Sequence, residues 1–335
     1  MARVLVLGGT SFVGRAVVRA AQAHGHEVAT LNRGRTSTDV AGVVALRADR
    51  DDAAGMSRVL AGCLFDAAVD VSARAPRHVR IAVEALRGAV DRYGLVSSMS
   101  VYRGDVFDGS GLIYEDAPTV VGDPDDESAP ALSRYAEQKR GCELAALRGF
   151  DDGAVTIVRP SFILGPYENM GRIPYWFDRA EAGGVMIGPG SADRSFPFVD
   201  VDDLAIWLVD RTLSGADGVY NAANSPSRDT WGDWLTAVVA ATGGVAQVRW
   251  IDDGTLLAAG VAPNFGLPMW IPGGLPDLAT DAIGSTGFHG RPLVDTVDAA
   301  REWRASGPAV TPPADRPPAI TTATEQSILA AAARE

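Results

Sequence analysis

Six short apolar runs recur through the first half of the chain, at residues 4–7, 28–31, 43–46, 67–71, 93–97 and 155–158. Each is four or five residues long and lacks polar alternation, which is how strands buried on both faces read. Between them lie segments with apolar residues at helical spacing: 14–23, 54–60, 77–86 and 135–147. The first ends in His24-Gly25, a helix-terminating glycine. Strand and helix in this rhythm predict an α/β fold with a doubly wound parallel sheet and helices on both faces.

The second half is less regular. Pro166, Pro174, Pro189 and Pro197 interrupt it, followed by two expected helices at 201–212 and 230–242. Asp202 or Asp203 reads as the N-cap of the first of these. A loop-rich stretch covers 264–276, and 293–303 again has helical spacing. From Gly307 the tail carries five prolines, at 308, 312, 313, 317 and 318, before an alanine-rich end, and reads as an extended strap or linker. The acidic run Asp123-Pro124-Asp125-Asp126-Glu127 reads as a solvated loop.

Composition narrows the function classes. Hydrophobic residues make up 47% of the 335 positions and charged residues 21%, enough apolar material for a sizeable core. The 42 acidic against 30 basic residues give a net charge of -12, which argues against a nucleic acid partner. Cys63 and Cys142 are the two cysteines and show no metal-ligand spacing. His24 and His26 flank a helix-ending glycine and are not read as a metal pair. No apolar stretch approaches the roughly 20 residues of a membrane span, so no membrane partner is expected. Residues 1–10 run into glycines without a small-residue cleavage site and read as a strand, not a signal peptide. A cytoplasmic location is the expectation.

The first strand leads into Gly8-Gly9-Thr10-Ser11-Phe12-Val13-Gly14, and a helix follows directly. Glycines there let the backbone approach a pyrophosphate, while the helix N-terminus offers free N–H donors and the positive end of its dipole. The second strand ends in Leu31-Asn32-Arg33-Gly34-Arg35, where an NAD site wants a carboxylate for the ribose 2′-hydroxyl. Two guanidiniums in its place favour NADP, with NAD the alternative, because they can pair with a 2′-phosphate.

Tyr135 and Lys139 are four apart within a helix-like segment, so ring and ammonium share one face. A neighbouring ammonium favours phenolate over phenol, which makes such a tyrosine a credible acid/base on a hydroxyl. The fifth strand runs into Ser97-Ser98-Met99-Ser100-Val101-Tyr102 at the sheet edge where ligands bind in this architecture. A serine there can hydrogen-bond the reacting oxygen.

In this order the motifs resemble an extended short-chain dehydrogenase/reductase, the superfamily of NAD(P)-dependent epimerases, dehydratases and reductases. The resemblance covers residues 3–305 and rests also on Asp49, Arg159-Pro160 and the segment from Arg194 through Asp203. The superfamily's usual middle glycine is Ser11 here, and the chain most resembles a subgroup with a Gly-Gly-Thr-x-Phe-x-Gly turn and an Asn-Arg-Gly after the second strand. It implies a Rossmann-type sheet with a smaller C-terminal substrate-binding region. The expected division is 1–165 for the dinucleotide, with 195–225 returning to it, then 166–194 with 226–306 for substrate, and 307–335 as a proline-rich tail with a terminal helix.

By position, the resemblance implies that Gly8 and Gly14 approach the pyrophosphate, Phe12 and Val13 close over it, and Asp49 reaches the adenine. Thr10, Ser11, Asn32, Arg33, Arg35, Ser72, Lys139 and Pro160 complete the expected cofactor set. Ser98, Tyr135 and Lys139 are the implied catalytic set, with Ser97 and Ser100 the lesser choices for the serine. Arg194 matches an arginine that contacts the substrate diphosphate in nucleotide-sugar enzymes, or else forms a structural salt bridge. Tyr102 and Trp176 are candidate substrate contacts, and Trp231, Trp234 and Trp270 would join Trp176 either in an apolar pocket or in the core. Sugar 4,6-dehydratases of the superfamily carry Asp and Glu where this chain has Met99 and Ser100, so dehydration is disfavoured.

The expected activity is hydride transfer between a nicotinamide and a ketone or secondary alcohol of a small molecule, with nucleotide-sugar epimerisation the alternative. A non-catalytic, RNA-binding relative is disfavoured by the acidic charge and the intact Ser98/Tyr135/Lys139 set. The resemblance allows a homodimer.

Overall fold

The structure is a computed structural model. It describes all residues except 36–37, 107–110, 227, 308–311, 313–315 and 334–335, so the tail prolines Pro308 and Pro313 lie outside the described residues.

The first half follows the predicted alternation: β1 (Arg3–Leu7), α1 (Phe12–Ala23), β2 (Glu27–Asn32), β3 (Val44–Arg47), α2 (Ala53–Leu60), β4 (Ala67–Asp70), α3 (Pro76–Leu86), β5 (Tyr93–Val96), α4 (Tyr135–Gly149) and β6 (Val155–Pro160). The second half holds β7 (Phe162–Leu164), α5 (Arg172–Glu181), β8 (Gly184–Pro189), β9 (Phe198–Asp200), α6 (Val201–Ser214) and β10 (Gly218–Ala222). After these come α7 (Trp231–Ala241), β11 (Ala246–Ile251), α8 (Asp253–Ala258), α9 (Asp281–Gly284), α10 (Leu293–Ser306) and α11 (Thr322–Ala332).

Seven strands form one sheet in the order β10-β6-β5-β4-β1-β2-β3, and every neighbouring pair is parallel. The chain builds outward from β1 to β3 on one side and from β4 to β6 on the other. The switch point therefore lies between β1 and β4, and a ligand crevice is expected beyond their carboxyl ends. The unbroken apolar run of β1 has a plain cause. Val4 and Val6 pack on one face with Val17 of α1 and Leu204 of α6, while Leu5 and Leu7 pack on the other with Met56, Val79 and Ala145. Both faces are covered, so neither carries polar residues.

A separate core is formed by α5, α7, the β8–β11 pair, α10 and α11. Three expectations change here. The α6 N-cap is Asp200, whose carboxylate accepts from Asp202 N at 2.8 Å and Asp203 N at 3.3 Å; Asp203 instead pairs with Arg291. The acidic run is ion-paired, not simply solvated, with Asp125 on Arg148, Asp126 on Arg134 and Glu127 on Arg80. The end of the tail is docked. Ile320 N donates to Gly266 O at 2.9 Å, and Glu325 of α11 is buried against Arg179 and accepts from Ile187 N.

Candidate active site

The glycine turn is shaped by close approach. Gly8 and Gly9 have φ of +117° and +94°. A Cβ on Gly9 would sit 2.7 Å from Thr30 Cγ2, and one on Gly14 would sit 2.5 Å from Gly9 N. Side chains at these positions would collide with β2 and with the turn's own backbone, so the glycines let the turn close against α1, and a bare backbone at a helix N-terminus fits a pyrophosphate. Ser11 occupies the N-cap of α1 without a side-chain bond to the helix. Thr10 is buried beside it. Phe12 starts α1 at φ +37° and is buried in the sheet core with Val13 packed at its edge, so the two are fixed by packing beneath the turn.

At the end of β2, Asn32 accepts from Gly34 N at 2.8 Å, and its Nδ2 lies 3.5 Å from Gly8 O. Arg33 and Arg35 are exposed, and Arg33 stands 3.9 Å from Asp49. Asp49 also accepts from Asp51 N at 3.2 Å. Ser72, just past β4, donates to Leu7 O at 2.9 Å and accepts from Arg50 at 2.8 Å, which ties the ends of β1 and β4 together. Beneath it, fully buried Asp70 binds Arg50, the Tyr93 hydroxyl at 2.6 Å, and the N–H groups of Ser72 and Ala73. Burial pushes the Asp70 carboxyl up, but Arg50 outweighs it and holds the group below its ordinary value. Sequence reasoning missed this pair. A carboxylate ending the otherwise apolar run of β4 was the available signal.

Tyr135 opens α4, and Lys139 lies one turn on. The Lys139 side chain is only 6% exposed. Its Nζ donates to Ala73 O at 2.8 Å and Val96 O at 2.9 Å, and sits 6.0 Å from the Tyr135 ring centroid. The ammonium is thus anchored to carbonyls just past β4 and at the end of β5, under the tyrosine. Ser98 follows β5 and caps a single 3₁₀ turn, with its Oγ 2.9 Å from Ser100 Oγ. Ser97 points elsewhere and donates to Glu143 of α4 at 2.6 Å. Arg159 in β6 forms a two-point pair with the same Glu143, and Pro160 ends that strand buried, in register with Ala222.

The three substrate candidates fare differently. Tyr102 is 1% exposed, donates to Asn221 Oδ1 at 2.6 Å and accepts from Arg159 at 3.1 Å, so it belongs to a buried network and not to an open surface. Trp176 is wholly buried. Its indole N–H donates to Pro268 O, and its ring packs edge-on to Trp231. Trp231, Trp234 and Trp270 share that core, so the four tryptophans serve packing there. Arg194 makes a two-point pair with Asp253 at 3.0 and 2.9 Å, and Asp253 also accepts from the Trp270 indole and Gly273 N.

The sequence over residues 4–223, from β1 through β10, matches the profile described as the NAD dependent epimerase/dehydratase family. The chain belongs to that family. No curated protein sequence matches it. Among solved structures, it is similar to a UDP-glucose 4-epimerase at 17% identity and a TM-score of 0.70, covering 92% of this chain and 99% of that one. The Bordetella bronchiseptica enzyme WbmG, solved with NAD and UDP, is similar at 19% identity and a TM-score of 0.67, covering 91% and 94%. WbmH of the same organism, solved with NAD+, matches at 19% and 0.66, covering 91% and 99%. At these identities the likeness is one of fold, a Rossmann-type sheet flanked by helices. Among the described residues no helix is long and apolar enough to cross a membrane.

Proposed function

We propose that this family member is an NAD(P)-dependent oxidoreductase that interconverts a ketone and a secondary alcohol of a small molecule, with Tyr135 as proton donor. The observation that carries this reading is the buried Lys139 ammonium held beneath Tyr135 by two strand-end carbonyls. A bound nicotinamide would supply or accept the hydride. The chain's own residues handle the oxygen: Tyr135 Oη gives its proton to the alkoxide, and the fixed positive charge of Lys139 stabilises the phenolate left behind. Ser98 Oγ hydrogen-bonds the reacting oxygen and shares its charge. Met99 and Ser100 offer no carboxylates for eliminating water, which supports reduction over dehydration.

Arg33 and Arg35, exposed past the end of β2, support NADP as the cofactor. NAD, the dinucleotide bound in the WbmG and WbmH structures, is the alternative. Nucleotide-sugar epimerisation is the second reading, supported by the shared fold with UDP-glucose 4-epimerases. The commitment of Arg194 to Asp253 counts against it, because a diphosphate would have to displace an ion pair. Incubation with deuterated NADPH and candidate ketones separates the two. Reduction puts deuterium into a product alcohol and consumes cofactor. Interconversion of two epimers with no label in product and no consumption would overturn the reductase reading.

A further inference from the structure

The last residue of β2, Asn32, is not a carboxylate, yet the fold brings one to it from outside the strand. Asp39 Oδ1 accepts from Asn32 Nδ2 at 2.9 Å and from Thr30 Oγ1 at 3.0 Å, and the same carboxylate pairs with Arg47 at the end of β3. Arg47 also donates to Asn32 Oδ1 at 3.1 Å. Its guanidinium lies against Gly34, where φ is +66° and a Cβ would meet Arg47 Nε at 2.9 Å. Asp39, Asn32 and Arg47 thus form one closed network, and its Asn32 corner lies 3.5 Å from the carbonyl of Gly8, the first residue of the phosphate turn. A dinucleotide whose pyrophosphate lies on that turn sets its adenosine ribose beside the end of β2.

Two opposite charges therefore face the place where NAD and NADP differ. We infer that Asp39 is a specificity-determining residue for the cofactor: its carboxylate holds Arg47 and withholds that guanidinium from a ribose 2′-phosphate. The preference for NADP expected from Arg33 and Arg35 is smaller than the number of basic residues suggests, and Asp39 sets its size. The hydrogen bonds of Arg47 keep the Asp39 carboxyl below its ordinary value, so the group stays ionised at neutral pH. This inference rests on the proposal that a nicotinamide dinucleotide binds at the glycine turn.

The test is direct calorimetric titration of NADP+ and NAD+ into the full chain at one fixed ionic strength, because exposed charges are screened by salt. Asp39→Asn keeps the Oδ1 acceptor for Thr30 and Asn32 while removing the charge that pairs with Arg47, which is left with its hydrogen bond to Asn32. It is expected to tighten NADP+ by about tenfold and to move NAD+ by about twofold or less, given the strength of a guanidinium–phosphate pair. Adding Arg47→Gln should abolish that gain, whereas Arg47→Gln alone should change NADP+ little. Asp39→Ser carries the same expectation if the asparagine variant fails to fold, as judged by its melting curve. An unchanged NADP+/NAD+ ratio in a folded, dinucleotide-binding Asp39 variant overturns the role of Asp39 alone. A gain that survives Arg47→Gln overturns it too, because the effect would then be general charge. Binding of neither dinucleotide by the unmodified chain overturns the cofactor reading and this inference with it.

Discussion

Ser97 Oγ donates to Glu143 Oε1 at 2.6 Å, and this contact ties the helix carrying Tyr135 and Lys139 to the strand end that carries Ser98. Glu143 lies four residues past Lys139 on α4, wholly buried, and also holds Arg140 and Arg159. Helix and sheet edge are thereby held in one relative position, which a proton relay built from both requires.

Replacing Glu143 by Gln should cost about 3–5 kcal/mol of stability, because Arg159 is left buried without its counter-charge. Urea unfolding checks this. A loss within about 0.5 kcal/mol, as for an ordinary surface change, would contradict the account of the network.

Acid should weaken the fold in two stages. His78 has its pKa lowered from 6.5, chiefly by burial, so it stays neutral in the fold while the unfolded chain takes up a proton. Stability therefore begins to fall as pH drops below 6.5. Glu143 and Asp70 are pushed up by burial, but their arginine partners outweigh this and leave both below their ordinary 4.5 and 3.8. Their contribution is complete above those values and is lost as pH falls beneath them toward the folded pKa. Urea midpoints measured against pH should show both stages, and a His78→Asn variant should lack the first.

Much of the fold was legible because its signals are local. The runs that became β1, β2, β4, β5 and β6 are largely apolar, since both faces of the sheet interior are covered, whereas the sixth became β3, a mostly exposed strand at the sheet edge. The strands β7 to β11 escaped notice, among them β10 at the far edge of the main sheet; β7 and β9 have three residues each and pair only with each other. The order glycine turn, serine, Tyr135, Lys139 was equally plain, and the fold puts Lys139 and the glycine turn at the ends of neighbouring strands. What stayed hidden depends on contacts across the chain. Asp39 reaches β2 through a loop with no regular pattern, Arg50 finds Asp70 20 residues on, and Arg194 meets Asp253 across 59 positions. The tryptophans could not be sorted between core and pocket by composition, because either role suits a large apolar ring.

Gly14→Ala should damage the cofactor cradle specifically. The new methyl would lie 2.5 Å from Gly9 N and 3.0 Å from Gly9 Cα, both backbone atoms with little freedom to move. Dinucleotide affinity should fall by about tenfold or more, with about 1–3 kcal/mol of stability lost to overpacking. Calorimetry together with a thermal melt separates the two effects, and unchanged affinity would count against a pyrophosphate on this turn.

The docked tail should carry stability of its own. Glu325→Ala leaves Arg179 buried without its partner and frees Ile187 N, so the melting temperature should drop clearly relative to a control such as Ser327→Ala on the exposed side of α11. Equal melting of the two variants would mean that α11 contributes little to the fold.

The central claim is that Tyr135, seated on Lys139, moves the proton while the glycine turn independently holds the cofactor. The most direct measurement is the rate of hydride transfer by Tyr135→Phe on a verified ketone, with dinucleotide affinity measured on the same preparation. The rate should fall by about 10²–10⁴, the usual worth of a positioned acid, at an affinity within about twofold of the unmodified chain. A Tyr135→Phe variant that transfers hydride at near the original rate would contradict it.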